Sequence, residues 1–307
     1  MLSLVLVVGL AVLFLRGVGP LPDPEGCRAR VDGVVVDLTT EQARNAATIS
    51  AVAVSRGLPA RAASIALATA FQESKLRNLD HGDRDSLGLF QQRPSQGWGT
   101  AREIQRPVYA ANRFYDALVK IDGYQSMRIT EAAQEVQRSG FPEAYEAHAA
   151  DARALASALT GWSPGRFSCV VHAQHPSAQR PGGAGLTPRA ARVRRALERV
   201  FGPQQLGGFA PGGVRTGHMK GSAHYEGRAV DIFVRPVDPE NRRRGWAMAS
   251  FLVAHAARLH VAHVIFDRRV WSAGGRSERG WRAYHAPAGP GDRAVLEHLD
   301  HVHVDVP

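Results

Sequence analysis

Cysteine is scarce in this chain of 307 residues, which contains only Cys27 and Cys169. A zinc site built from cysteines alone is therefore excluded, because such a site needs four thiolates. Acidic residues are also few, with 28 Asp and Glu against 38 Lys and Arg and a net charge of +10. This deficit favours a polyanionic partner, which can be nucleic acid, an anionic membrane or an anionic cell wall.

Long hydrophobic runs are missing as well. The most apolar stretch, residues 2–15, has 14 residues, whereas a spanning helix needs about 20. Its length and composition predict an export signal or membrane anchor over residues 1–18, with a buried N-terminal helix as the alternative. A proline-rich linker is expected over residues 19–38. We therefore expect an extracellular or wall-associated protein that meets the membrane only through this segment.

The export prediction determines whether the two cysteines are expected to form a disulfide. In an exported chain, an even number of cysteines favours a disulfide, here between Cys27 and Cys169. Two separate buried thiols remain the alternative.

Nucleic acid is the least favoured of the anionic partners. The sequence shows neither a basic motif interleaved with aromatic residues nor a helix-turn-helix pattern. An export segment also argues against it, so we expect no nucleic-acid partner.

The pattern of apolar residues divides the rest of the chain into two parts. Residues 39–162 show helical periodicity and no strand pattern, and Thr39 with Gln42 predicts a capping box at the first helix. Residues 163–186 are rich in Gly and Pro and are predicted to be a linker. Residues 187–307 combine helices with strand patterns at 228–234, 261–266 and 301–306. The fold class is therefore multidomain, with an all-α domain followed by an α+β domain.

A single carboxylate stands out in the helical part. Glu73 lies near the end of an apolar helix, where lost hydration would favour its protonated form, as a general acid requires. A solvated glutamate at a helix end is the alternative. A glycine-rich loop with amide side chains follows at residues 86–94.

The sequence around Glu73 resembles a known family. Glu73-Ser74 followed by the stretch SLGLFQQRP is similar to the lysozyme-like lytic transglycosylases, above all their actinobacterial forms, over about residues 40–160. The resemblance implies that Glu73 is the acid and base that cleaves the MurNAc–GlcNAc bond with formation of a 1,6-anhydro ring. It implies that the substrate is contacted by Ser74, Phe90, Gln91 and Tyr145. Plain hydrolysis with a second carboxylate, from Asp80, Asp83 or Asp85, remains open.

A second set of residues has the composition of a metal site. His224 and Asp231 are separated by six residues, and His303 lies in the final strand. Two imidazoles and one carboxylate leave a tetrahedral Zn²⁺ one open position, which is typical of catalytic zinc. His301 shares a strand face with His303 and can orient water or an oxyanion.

This second pattern also resembles a family. The stretch SAHYEGRAVD with the later DHVHV is similar to the zinc D,D- and L,D-peptidases that share the Hedgehog/DD-peptidase-like fold, over residues 187–307. The resemblance implies His224, Asp231 and His303 as ligands and Arg215 as a contact to the substrate carboxylate. The general base is Asp300 or Glu297, and we favour Asp300.

Together these features predict an exported peptidoglycan hydrolase. One module would cut glycan strands and the other would cut stem peptides, with anionic wall polymers as further partners. The alternative is a glycan-cleaving enzyme whose C-terminal domain binds zinc and wall peptide without catalysis.

Overall fold

The structure is a computed structural model that describes residues 24–288 and 291–307. The export segment predicted over residues 1–18 lies outside the described residues. Within the described ranges, no helix combines the length and the apolar character that a membrane span requires.

The first elements of the described residues form a β-hairpin, where a linker was predicted. Strand β1 (Gly26–Val31) pairs antiparallel with β2 (Val34–Leu38). Asp32 and Gly33 join them with φ angles of 48° and 82°, which suit the two-residue turn that matches the strand twist. Buried and exposed residues alternate along β1, so one face of the hairpin packs on the protein core.

A third strand ties this hairpin to the middle of the chain. Strand β3 (Phe167–Val170) pairs antiparallel with β1, although it lies in the predicted linker 163–186. Cys27 is directly opposite Cys169 in the pairing, and the two form a disulfide. The predicted disulfide is therefore confirmed, and it closes the helical part of the chain into a loop.

Residues 39–162 are helical, as the periodicity predicted. Thr39 caps the first helix in a capping box with Gln42. The helices are rich in alanine, so they pack closely around a buried interior. In chain order they are α1 (Thr40–Ser55), α2 (Ala60–Ser74), α3 (Ala101–Ile104), α4 (Pro107–Leu118), α5 (Ile129–Gln137) and α6 (Ala149–Leu159), with short 3-10 helices at Pro94–Gln96 and Ala144–His148.

The C-terminal part is built on an antiparallel sheet of six strands in the order β4-β5-β9-β6-β7-β8. The strands predicted from the sequence are present as β5, β6 and β9. The strands are β4 (Leu206–Gly207), β5 (Ala229–Phe233), β6 (His263–Phe266), β7 (Arg269–Ser272), β8 (Arg282–Ala283) and β9 (His301–Asp305). The helices are α7 (Pro188–Phe201), α8 (Pro239–Ala254), α9 (Ala256–Leu259) and α10 (Arg293–Leu296), with 3-10 turns at Ala223–Glu226 and Ser277–Arg279.

The two parts pack directly against each other. Helix α1 of the first part contacts α8 and α7 of the second, and their buried apolar residues form one continuous core. The indole nitrogens of Trp271 and Trp281 donate hydrogen bonds to the carbonyl oxygens of Cys169 and Phe167, at 3.1 and 2.9 Å. The fold therefore combines helices with antiparallel sheets, and the connection is not a free tether.

Candidate functional site

Strands β5 and β9 bring the predicted metal ligands together. Asp231 on β5 is directly opposite His303 on β9, because the two strands are antiparallel neighbours in the middle of the sheet. His224 lies in the 3-10 turn that precedes β5. Gly227 ends this turn at φ 63°, a left-handed conformation that turns the chain into the strand.

The three side chains present one ligand atom each to a common point. His224 Nε2 lies 3.1 Å from His303 Nδ1 and 3.2 Å from Asp231 Oδ1, and His303 Nδ1 lies 3.0 Å from Asp231 Oδ1. All three residues are buried. Ligand atoms about 2 Å from one zinc ion would be about 3 Å from each other, so this triangle has the dimensions of a zinc site.

The opposite nitrogen of each imidazole bonds away from the triangle. His224 Nδ1 lies 2.8 Å from the carbonyl oxygen of Gly208, and His303 Nε2 lies 3.4 Å from the carboxylate of Asp305. Both acceptors favour a proton on the outward nitrogen, which leaves the inward nitrogen with a free lone pair. Asp305 also accepts a hydrogen bond from His263 Nδ1 at 2.9 Å.

Gly208 is required by the close approach of these side chains. Its φ is 78°, and a Cβ at this position would lie 2.2 Å from His224 Cε1 and 3.0 Å from Asp231 Oδ2. Any larger residue would therefore push His224 and Asp231 out of position.

The electrostatics of the cluster favour a charged carboxylate. Burial alone would raise the pKa of Asp231, but the hydrogen bonds of His224 and His303 hold that pKa far below its usual range. Burial alone would lower the pKa of His303, but its bonds to Asp231 and Asp305 raise that pKa to about 9. A cation is thus stabilised at this point, and a metal ion would take the place of the proton.

A further histidine lies beside the triangle. His218, His224 and Asp231 also offer ligand atoms within 4.8 Å of one another. However, the His218 ring stacks on His224, with centroids 3.9 Å apart and an angle of 18°, whereas the His303 ring stands at 70° to His224. Lone pairs of stacked rings run side by side and do not converge on one atom. The geometry is therefore more favourable for His303 than for His218 as a third ligand beside His224 and Asp231.

Both carboxylate oxygens of Asp300 accept hydrogen bonds from neighbouring side chains. Its Oδ1 accepts a hydrogen bond from His301 Nδ1 at 2.7 Å, and its Oδ2 accepts one from Arg235 Nε at 2.7 Å. The other nitrogen of His301, Nε2, lies 3.8 Å from Asp231 Oδ1. The group that faces the cluster is therefore His301, with Asp300 behind it.

Glu297 and Arg215 lie apart from these contacts. The carboxylate of Glu297 is bonded to Arg268 at 2.5 Å and to Arg293, and these arginines hold the pKa of Glu297 below its usual range. Arg215 is exposed in the loop that also carries His218, and it forms no hydrogen bond or ion pair within the described ranges. Asp300 thus contacts the cluster through His301, whereas Glu297 is bound by two arginines. The role of Arg215 as a contact to the substrate stays a prediction.

The helical part places Glu73 in a second polar site. Glu73 lies in the last turn of α2 and is half-buried. Tyr145 is buried, and its hydroxyl donates a hydrogen bond to Glu73 Oε1 at 2.8 Å. Burial raises the pKa of Tyr145, and the negative charge of Glu73 adds to that increase. The phenol therefore stays protonated and holds this carboxylate in one orientation.

Of the other expected substrate contacts, Phe90 is wrong as a side-chain contact. Its ring is fully buried and stacks on Phe114 at 4.7 Å, so it packs the core and cannot reach a polymer. Ser74 is buried too, and its hydroxyl donates to the carbonyl oxygen of Leu89 at 2.8 Å, which fixes the loop to the helix end. Gln91 is half-buried at φ 46° and remains accessible.

Two of the three aspartates proposed as a second carboxylate already form hydrogen bonds with neighbouring side chains. Asp85 accepts hydrogen bonds from Arg93 at 2.7 Å and from the backbone of Ser95 at 2.8 Å, which hold its pKa well below its usual range. Asp80 is bonded to His81. Asp85 therefore stabilises its own loop.

Several residues around the cluster of His224, Asp231 and His303 were not predicted from the sequence. Asp305 follows His303 by two positions and thus shares its strand face, so strict alternation could have found it. His218 precedes His224 by six positions, which is the only indication in the sequence. Gly208 and Arg235 carry no pattern that would connect them to the cluster before folding.

One family model matches part of the chain. The family is described as VldE, C-terminal domain, and the match covers residues 182–294. It includes His224 and Asp231, ends before β9, and gives a peptidase-like domain for this part of the chain. Comparison with curated proteins finds no match. The match does not reach the helical part.

Proposed function

We propose that the protein is an exported, zinc-dependent peptidase that cleaves stem peptides of peptidoglycan, joined to a glycan-cleaving module. The observation that carries the proposal is the triangle of ligand atoms of His224, Asp231 and His303, with sides of 3.0–3.2 Å. The match to a peptidase-like family supports the same reaction class. The disulfide supports export, because disulfides persist in oxidising compartments.

The donor set fits zinc. Two imidazole nitrogens and one carboxylate oxygen are ligands that zinc prefers, and they leave one position open. Zinc held there would supply Lewis acidity to the scissile carbonyl and to the attacking water. Gly208 and Asp305 keep the two imidazoles in the orientation that this binding needs.

His301 and Asp300 move the proton in this proposal. Because Asp300 accepts the Nδ1 hydrogen of His301, the Nε2 atom of His301 is left as the acceptor that faces the cluster. His301 would take the proton from water and pass it to the leaving amine, and Asp300 would stabilise the imidazolium. Arg235 fixes Asp300 through its bond of 2.7 Å.

Digestion of purified peptidoglycan tests the peptidase. Mass spectrometry of the fragments should reveal new peptide termini with the zinc-loaded protein, and the His224→Ala variant should produce none. The His175→Ala variant is the matched control, because His175 is exposed and lies outside the cluster. If the native protein binds zinc, His224→Ala binds it poorly and neither yields new termini, the module binds zinc without catalysis.

Glycan cleavage is the second proposed activity, and the contact between Tyr145 and Glu73 favours it. A half-buried carboxyl group oriented by a protonated phenol can serve as the acid and the base of such a reaction. Glu73 would protonate the glycosidic oxygen and then act as base for ring closure at C6. Anhydro ends among the digestion products, absent with Glu73→Gln, would support this activity. Reducing ends in their place would indicate plain hydrolysis.

A further inference from the structure

A groove runs between the two halves of the protein, away from both sites described above. It has a volume of about 1160 Å³ and lies between the start of α4 in the helical half and helices α7, α8 and α9 in the other half. Its floor is apolar and includes Val200, Phe251 and Leu259, and its walls are polar. Neither the metal cluster nor Glu73 lines it.

Five arginines line this groove and no acidic residue does. Arg192, Arg195 and Arg199 lie at positions i, i+3 and i+7 of α7, so they share one face of the helix. Arg106 and Arg258 come from the other elements of the groove. All five side chains are exposed. We call this set the arginine groove.

The arginines of the groove have no carboxylate partner. Among residues 24–288 and 291–307, no Asp or Glu oxygen lies within 4.0 Å of any of the five guanidinium groups. The carboxylate carried by α7, Glu198, is bonded to Arg194 instead. Unpaired like charges repel one another, so this arrangement costs stability until an anion enters.

The positive charge of the groove also affects the pKa values of two nearby histidines. Burial, together with the charges of Arg44 and Arg258, lowers the pKa of His255 to about 4. Burial also lowers the pKa of His260, with a further decrease from Arg192. The electrostatic environment at the groove is therefore cationic beyond the exposed side chains themselves.

We propose that the arginine groove binds a linear polyanion whose charged groups are phosphodiesters. Arg192 and Arg199 are about 10 Å apart along the helix axis, which is more than one phosphate spans but suits successive groups of a polymer. The planar fork of arginine matches phosphate oxygens in pairs. The apolar floor would accept the carbon backbone between phosphates. A concave groove fits a strand and does not fit the flat face of a bilayer.

Binding of a defined polymer tests this proposal. The probe is fluorescently labelled poly(glycerol phosphate), titrated with the full-length protein at low salt. The groove variant carries Arg192→Gln, Arg195→Gln and Arg199→Gln. The control variant carries Arg153→Gln, Arg180→Gln and Arg276→Gln, which removes equal charge from exposed positions outside the groove.

We expect at least a tenfold loss of affinity in the groove variant and less than a twofold loss in the control. Equal losses in both variants would overturn the proposal, because bulk charge would then explain binding. No loss in the groove variant would overturn it as well. Binding to vesicles with 30 mol% anionic lipid is measured as well. If the groove variant loses affinity for the vesicles but not for the polymer, a membrane surface is the ligand and the proposal is wrong. Each readout is independent of zinc and of cleavage, so failure here leaves the proposed enzymatic function untouched.

Discussion

Asp305 should control the zinc affinity of the cluster although it is not a ligand. Its buried carboxylate accepts hydrogen bonds from His303 Nε2 at 3.4 Å and from His263 Nδ1 at 2.9 Å, and burial alone would raise its pKa, but these histidines hold it well below its usual range. The Asp305→Asn change keeps the shape of the side chain and removes its charge. The carboxylate would then no longer raise the basicity of His303 or fix its ring.

Loss of such an outer partner typically lowers metal affinity by 10–100-fold. This corresponds to about 1.4–2.8 kcal/mol of binding free energy. Competition with a chromophoric chelator measures the zinc dissociation constant of the variant and the native protein. Asp37→Asn is the matched control, because it makes the same chemical change in an exposed ion pair with Arg28.

A folded Asp305→Asn variant with native zinc affinity would refute this reasoning. Circular dichroism and a thermal melt of the zinc-free variant decide whether it is folded. A variant that melts like the native protein and binds zinc 10–100-fold more weakly is the predicted result.

Four further outcomes are expected. His303→Ala should abolish zinc binding at micromolar zinc, whereas His218→Ala should reduce zinc affinity by less than about tenfold. The reason is that the ring of His218 stacks on that of His224, so their nitrogen lone pairs do not point at one ion. The reverse order of affinities in a chelator competition would exchange their roles. Tyr145→Phe should slow glycan cleavage by about tenfold or more while leaving the fold intact, because Glu73 loses the donor at 2.8 Å; an unchanged rate on purified peptidoglycan would remove Tyr145 from the site. Changing both Cys27 and Cys169 to Ala should lower the unfolding free energy by about 2–4 kcal/mol, because the disulfide joins residues 142 apart; denaturant curves that coincide with those of the native protein would contradict this. The pKa of His255 is about 4 in the folded protein, against 6.5 when unfolded, so the unfolded state binds a proton at higher pH than the folded state does. The free energy of unfolding should therefore decrease by roughly 3 kcal/mol as the pH falls from 6.5 to 4. Denaturant unfolding of His255→Gln should lack this decrease, and an unaltered pH profile would show that another group causes it.

Local sequence patterns were sufficient for most of the elements and for the residues that meet in the cluster of His224, Asp231 and His303. The capping residues Thr39 and Gln42 mark the start of α1 in the sequence and in the structure. The strands β5 and β9 were recognisable from their apolar runs, and the antiparallel pairing of Asp231 with His303 then follows from the sheet. Each of these features depends on residues that lie close together in the chain.

The incorrect predictions concern features that depend mainly on contacts between residues far apart in the chain. The segment 19–38 was predicted to be a linker because of its prolines, although Asp32-Gly33 between Val31 and Val34 is a strong hairpin pattern. Phe90 was expected to contact substrate because it lies in the motif, but its ring stacks on Phe114 from a distant helix. Contacts over such sequence distances have no local pattern. The arginine groove was hidden for the same reason, since it forms only where the halves meet.

X-ray absorption spectroscopy at the zinc edge is the most direct test of the metal centre. The full-length protein, loaded with one equivalent of zinc, is compared with His224→Ala and His303→Ala. We expect a first coordination shell with two imidazole nitrogens and carboxylate or water oxygens near 2.0–2.1 Å, with one imidazole lost in each variant. A native spectrum without imidazole ligands, or one that neither variant alters, would contradict it.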